Sequence, residues 1–516
     1  MQQAYEDGDM ERIARYCLVD ARLPLQILEH ENMISLLFQL ASLSGASLQQ
    51  AFNMTNSSLV VASLARITRE RKIVNNLPRA DVHAGRFQGA CVFEPTRGIH
   101  PVLAIMDFAA LYPSIIIGYN MCYTTIINRP DESTTTVNLP GGRQVHFTNK
   151  RVGLLPATLK HFLAERATVK QHMKTYPKGS DKYKILDSKQ QGIKTICNTF
   201  YGFLGSVMPF AMRLIAECVT AVGRDAVQRT QSYIEQRGYK VVFGDTDSCG
   251  CVFPETMSEQ SVEETCEKLA RVISAEVFDN KLILEYEKQL RPCVIFKKKM
   301  YVGCDPRTGT LLIKGLAAKR RNFMPFVRES FKCVLELLCR GEIEQAFSYV
   351  EQRFSTLVSM SCVPWSEAHF PPLEDFAISS KVKHRSEYKG TPSLGYLVNQ
   401  KLGAASLCAG SRISYVYYYD KSDRRHNGSK RSGHWSPGKT IDILLPVQIA
   451  QHRTNLVIDV YKVLDQHHKQ LYMYFRGASY QYASRFERLY NEAISTVKKQ
   501  RGCKVCKNYD ILFLHL

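Results

Sequence analysis

No apolar run in this chain reaches the roughly 18 residues that a membrane-spanning helix needs, which excludes a protein threaded through a bilayer by helices. The residues after Met1 are polar and acidic, so no secretory leader is expected. Internal repeats and low-complexity tracts are lacking as well, so a repeat array is not expected. The chain is also short of acid. Its 48 Asp and Glu face 68 Lys and Arg, a net charge of +20, which points to a polyanionic partner, nucleic acid before an acidic membrane. With 516 residues and 45% hydrophobic content it reads as a globular chain too long for one core, so several domains are expected. Cysteine is not scarce, but its 16 copies are scattered through apolar segments (Cys122, Cys197, Cys218, Cys333) without the spacing of a disulfide scaffold. Reduced core thiols of a cytosolic or nuclear protein fit that pattern. Cys503 and Cys506 form a single CxxC close to Leu516; a zinc site needs four ligands, so this pair supplies half of one and zinc is not expected.

What the chain does hold is a concentration of acids at turns. Residues 239–253, YKVVFGDTDSCGCVF, read as a β-hairpin: Val241, Val242 and Phe243 are a β-branched and aromatic run, 244–248 is turn chemistry, and an apolar run resumes at Cys251. Asp245 and Asp247 are two apart, so on an extended backbone they point to one face, about 6–7 Å apart at Cα. Like charges held that close raise each other's pKa unless a cation lies between them, and hard oxygen ligands of this kind suit Mg²⁺. A bare DxD is more often a turn whose Asp residues cap their own backbone. A third acid in a matching setting overturns that reading. In 102–117, VLAIMDFAALYPSIII, a hydrophobic run delivers Asp107 at its end, before a short segment closed by Tyr112 and Pro113.

Helical patterning covers 1–31, punctuated by Pro24, and returns within 36–76, including the run 59–67. Residues 131–149 are a polar insertion with a Pro-Gly-Gly turn, expected as a surface hairpin. From Leu155 the pattern is helical again, with Leu159, Phe162, Leu163 and Val169 on one face and Arg166 and Lys170 neighbours on another. After a break at TYPKGSDKY, a second helix over about 183–203 puts Lys194, Asn198 and Tyr201 on one side. Two helices so joined can present cations to one cleft. Residues 211–235 read as a further helix, 421–439 as a basic loop rich in Ser and Gly, and 323 onward as mainly helical and basic.

Three segments in order, DFAALYPSI, KTICNTFYG (194–202) and GDTDS, resemble the polymerase motifs of family B DNA polymerases, and the resemblance runs from about Tyr16 past Arg412. It implies an α+β, multidomain right-hand fold: a palm of antiparallel sheet with helices, fingers made of a helical hairpin, and a mainly helical thumb. The implied boundaries are 1–35 for the end of a 3′–5′ exonuclease domain, 36–154 for a connector and first palm segment, 155–206 for the fingers, 207–322 for the second palm segment and 323–516 for the thumb and C-terminal region. The implied reaction is template-directed addition of deoxynucleotides to a primer 3′-hydroxyl with two Mg²⁺ ions, in replication in a nucleus. Asp107, Asp245 and Asp247 would be catalytic, and with the Phe108 carbonyl they would bind metal. The amides of Ala109, Ala110, Leu111 and Tyr112, together with Arg166, Lys170, Lys194 and Asn198, would bind the nucleotide, and the Tyr112 ring would exclude a ribose 2′-hydroxyl. Tyr201, Gly202, Lys298, Lys299, Tyr301, Arg320 and Arg321 would contact DNA, with Phe87 at a template-tracking segment and Arg412 and Tyr415 as weaker contacts. Primer–template DNA, deoxynucleoside triphosphates and a processivity factor are the implied partners, and no membrane.

YCLVDARLPL resembles the family's last exonuclease motif through Tyr16 and Asp20. Asp20 alone cannot hold the pair of metals that such hydrolysis uses, so nuclease activity is not expected of this chain and an N-terminally incomplete product is. Ala110 stands where the family commonly has Ser; this and the insertion near Gly141 lean toward a large DNA virus. Two other readings stay open, a silent DNA-binding subunit that keeps the hand shape and an RNA-synthesising palm enzyme. The retained acids and cations argue against the first, and Tyr112 against the second.

Overall fold

Polar caps and apolar spacing set the helices that lead the chain. α1 (Met10–His30) starts at Asp9, whose carboxylate accepts from the Arg12 amide at 3.0 Å. Pro24 does not end it: the helix absorbs the lost donor and runs on to His30, with none of its residues buried. α2 (Met33–Ser44), α3 (Leu48–Asn53) and α4 (Asn56–Glu70) follow, α3 opened by a reciprocal Ser47–Gln50 capping box. The computed structural model describes residues 8–74, 87–363, 370–387, 393–403, 406–419, 444–452 and 456–502; the basic loop 421–439 and the Cys503–Cys506 pair lie outside the described residues.

The chain forms two compact units, one of Met1–Val92, Met106–Cys249 and Glu264–Glu287, the other of Phe93–Ile105, Gly250–Glu263 and Lys288–Leu516. β1 (Val102–Phe108) is a buried apolar strand except at Asp107, and it leads into α5 (Leu111–Gly118). The expected polar hairpin is present as β2 (Thr134–Asn138) and β3 (Gln144–Thr148), paired antiparallel and turned by Gly141 and Gly142, which hold φ of 78° and 76°. The expected helical hairpin is α6 (Leu154–Met173) and α7 (Asp181–Leu204), the second capped by Ser180. Lys189 and Glu165 tie the two helices at 2.7 Å, and Asn32 before α2 donates to Lys184 O and Ser188 Oγ of α7. α8 (Arg213–Gln236) precedes β4 (Lys240–Asp245) and β5 (Ser248–Phe253), and β6 (Leu284–Leu290) completes a four-stranded sheet in the order β4–β5–β1–β6. A two-residue link can only reverse the chain, so β4 and β5 form the expected hairpin.

In the second unit the short strand Gly98–His100, β7 (Cys293–Lys297), β8 (Met300–Cys304) and β9 (Leu311–Lys314) make an antiparallel sheet in that order. Four helices, α9 (Pro325–Cys339), α10 (Ile343–Ser359), α11 (Val460–Ala478) and α12 (Tyr480–Gly502), share a core that includes Phe326, Phe331, Phe354, Phe475 and Phe486. Helical patterning did not foretell the second sheet in this region, built from β10 (Ile378–Lys381), β11 (Arg412–Tyr419) and short strands at Leu444–Pro446 and Val457–Ile458. β11 is RISYVYYY, a β-branched and aromatic run suited to a half-buried strand. Tyr415 is therefore core, 3% exposed with its hydroxyl 3.3 Å from Ser380 Oγ, which corrects its expected role as a DNA contact. Arg412 is bonded to the Ser379 hydroxyl and carbonyl.

Candidate functional site

The first unit brings the three acids together where β1 ends and β4 turns into β5. Asp107 is the one residue of β1 that is not buried, and the Phe108 amide beside it donates to the Asp247 carbonyl at 2.9 Å, which stitches the end of β1 to the β4–β5 turn. That turn is strained. Thr246 is β-branched yet holds φ of 62°, and it is kept there by its amide on Cys91 O (3.0 Å) and by the Asp247 amide on Asp245 O (2.6 Å). Because the chain bends at Thr246, Asp245 and Asp247 are not successive same-side residues of an extended strand, which corrects that expectation. The Thr246 hydroxyl instead donates to Asp245 Oδ1.

Asp107 Oδ1 is buried and accepts no hydrogen bond. Burial, then the Asp247 carboxylate, then Glu287 push its carboxyl up to about 7, with Glu285 adding and the Phe108 amide opposing. Glu285 and Glu287 were missed in the sequence; they sit two apart on β6, next to β1 in the sheet, and an E-x-E pair on an extended run could have signalled a shared face. A divalent cation fits this set, since it would satisfy the bare oxygen and offset the clustered charge. Among the described residues no three His, Cys, Asp or Glu form a ready cage. Mg²⁺ is an ion that takes one or two carboxylates and completes its shell with water and substrate phosphates.

Tyr112, in the first turn of α5, lies against Tyr201 of α7 with ring centroids 4.2 Å apart. Burial raises the Tyr112 hydroxyl to about 12, with Tyr201 and then Asp247 adding, while Arg224 pulls it down. A Cβ on Gly223 of α8 would stand 3.4 Å from the Tyr112 ring, so the helix behind the ring holds it in place. Arg224, also missed in the sequence, donates to the carbonyls of Gln88 and Gly89 at 2.9 and 2.8 Å and so fastens the segment after Phe87 to α8. Of the amides expected to meet a nucleotide, that of Ala109 is bonded to Ile283 O at 2.8 Å, which corrects its assignment; those of Ala110, Leu111 and Tyr112 open α5.

On the helical hairpin, Arg166 donates from Nε and Nη2 to Gln190 Oε1 across the two helices. Lys170, Lys194 and Asn198 are exposed and have no hydrogen-bond or ion-pair partner among the described residues. Gly202 is exposed, and a Cβ there would meet nothing within 4 Å. In the second unit Lys298 pairs with Glu94 at 3.3 Å, Lys299 holds φ of 60° in the β7–β8 turn, and Tyr301 is half-buried on β8. Arg320 donates to Gly315 O, and Arg321 is exposed. Tyr16 and Asp20 are hydrogen-bonded on the exposed face of α1.

The sequence profile of DNA polymerase family B matches residues 46–481. The chain is 31% identical over 378 residues to the DNA polymerase delta catalytic subunit of Candida albicans, with 67% of this chain and 35% of that protein covered. It is 29% identical to the delta catalytic subunit of Caenorhabditis elegans (69% and 35% covered) and 30% identical to the DNA polymerase catalytic subunit of Alcelaphine herpesvirus 1 (65% and 36% covered). The chain thus spans about a third of the length of these curated relatives. The structure of the family B DNA polymerase from Pyrobaculum calidifontis superposes with a TM-score of 0.62 at 23% identity, covering 91% of this chain and 56% of that one, a likeness of fold.

Proposed function

The chain belongs to DNA polymerase family B, and from that membership we propose that it adds deoxynucleotides to a primer 3′-hydroxyl under direction of a template, releasing pyrophosphate. The observation that carries this reading is Asp107: a buried carboxylate oxygen with no donor among the described residues, at a strand end bonded to the Asp247 turn, in a carboxyl pushed up to about 7 by burial and then by the neighbouring acids. Asp107 and Asp247 would be the principal holders of two Mg²⁺ ions, with Asp245 and the Phe108 carbonyl beside them. Bound there, such ions would supply activation of the attacking oxygen and neutralisation of charge on the triphosphate.

The remaining roles belong to the chain's own groups. The amides of Ala110, Leu111 and Tyr112 and the exposed cations Lys170 and Lys194, with Asn198, orient the triphosphate; Arg166 joins them by exchanging Gln190 for a phosphate. Tyr112, backed by Gly223 and lying tilted against Tyr201, is a rigid wall under the incoming sugar that rejects a 2′-hydroxyl. Tyr201 and Gly202 face the minor groove of the nascent pair, where the open space at Gly202 admits a nucleic acid edge. Lys298, Lys299, Tyr301, Arg320 and Arg321 hold duplex phosphates, a sequence-independent and salt-sensitive grip suited to copying any template. In this reading the β4–β5–β1–β6 sheet is the palm, α6–α7 the fingers and α9–α12 the thumb. The setting is replication in a nucleus, and a processivity factor is a further partner.

Primer extension with Mg²⁺ tests the proposal, comparing wild type with Asp247→Ala on protein shown to be folded. Templated extension that the substitution abolishes is the expected result. Folded wild type that binds primer–template yet extends nothing would make the chain a DNA-binding protein without this activity.

A further inference from the structure

A cavity of about 360 Å³ in the second unit is lined by two arginines whose side chains pair with no acid among the described residues. Its lining includes Arg321 just before α9, Arg328 within α9, Ser379 of β10 and Ser414 of β11. The side chains of Arg321 and Arg328 have neither an ion pair nor a hydrogen bond to any described residue, and Arg328 Nε is fully buried without an acceptor among them. Leaving a buried guanidinium N–H unpaired costs about 1–3 kcal/mol, so an arginine held this way suits an acceptor that comes from outside the chain. The Ser414 hydroxyl likewise has no partner among the described residues. Ser379 Oγ already accepts from Arg412 Nε at 3.0 Å. The acid in the lining, Glu374, is held by the Gln451 amide at 2.7 Å and pairs with neither arginine.

We propose that this cavity is an anion site that takes a phosphate group between Arg321, Arg328 and Ser414. The chemistry is specific: two guanidinium forks match phosphate oxygens, a hydroxyl supplies a neutral donor, and no metal is required. The volume exceeds that of a single phosphate, so a pyrophosphate or a backbone phosphate with its sugar fits equally. The site deepens the proposed DNA contact of Arg321, and rests on that reading only where the phosphate belongs to a nucleic acid.

The test uses the full chain in EDTA, so that no metal-dependent site contributes, with sodium pyrophosphate and a primer–template as separate probes. Wild type is compared with Arg321→Gln and Ser414→Ala, whose folding is checked by thermal melting; both positions reach solvent, so both variants should fold. If the phosphate is a free anion, calorimetry shows pyrophosphate binding weakened about tenfold by Arg321→Gln and severalfold by Ser414→Ala, while the salt dependence of DNA binding is the same for all three proteins. If it is a backbone phosphate, pyrophosphate competes with DNA, both variants lose DNA affinity, and Arg321→Gln lowers the salt slope by about 1. Either pattern supports the site. Unchanged binding of both probes by the folded variants overturns it. Extension activity does not enter, so a failure of the polymerase reading leaves this test intact.

Discussion

Acid should loosen the second unit through one buried imidazole. His467 of α11 is wholly buried; its Nδ1 meets the Val463 carbonyl at 2.9 Å, its Nε2 has no partner, and the rings of Phe326, Phe331 and Phe354 stand 6.2, 5.9 and 5.6 Å away. Burial holds its pKa down from 6.5 to about 4, the Val463 carbonyl opposing and the Arg353 charge adding to the shift. The unfolded chain thus takes up this proton at higher pH than the folded one. Stability rises with pH between the two values, is fully present above about 6.5 and is lost as pH falls toward about 4. Linkage over that gap gives a loss of about 2 kcal/mol at about pH 5 and about 3 kcal/mol in full. Hydrogen exchange of the α11 amides, corrected for intrinsic rates, measures it. Wild type should lose about 2 kcal/mol of protection between about pH 7.5 and 5 beyond whatever His467→Leu loses over the same range. Equal losses in the two proteins would refute the reasoning.

Other expectations follow from the site. Tyr112→Ala should reduce discrimination against ribonucleotides in kcat/KM by about a hundredfold; unchanged discrimination would remove Tyr112 from the sugar wall. Asp107→Asn should raise the stability of the metal-free protein by about 1 kcal/mol, discounted for partial exposure, because it removes one of several clustered negative charges. The same variant should extend primers at least about a thousandfold more slowly, and a variant that is both less stable and fully active contradicts the clustering. Gly202→Ala should stabilise α7 by up to about 1 kcal/mol, since nothing lies within 4 Å of the added methyl, while weakening primer–template affinity. Retained affinity would mean that no DNA edge approaches there.

Local chemistry made much of the fold readable before the structure. Val241, Val242 and Phe243 followed by GDTDS could be little but a strand and turn, and the apolar run before Asp107 could only end a buried strand. The polar 131–149 insertion and the two-helix hairpin follow from turn residues and period in the same way. What depended on long-range contact was hidden. Glu285 and Glu287 matter because β6 lies beside β1, which no local pattern states. Arg224 reads as one more cation on a helix until the Gln88 and Gly89 carbonyls come to meet it. The bend at Thr246 violates the preference of a β-branched residue, so an extended backbone was the natural and mistaken expectation there. β10, β11 and their partners are short pieces spread from residue 378 to 458, and their pairing buries Tyr415, which the family resemblance implied as a weaker DNA contact.

The central claim is that Asp107 and Asp247, from separate segments, act as one metal-holding centre. Titration of Mn²⁺ into the chain bound to primer–template and a non-hydrolysable deoxynucleoside triphosphate, followed by electron paramagnetic resonance, tests it most directly. Wild type should bind a coupled pair of ions, and Asp107→Asn and Asp247→Asn should each weaken that binding by at least about tenfold. Tight paired binding that survives both substitutions would contradict the account.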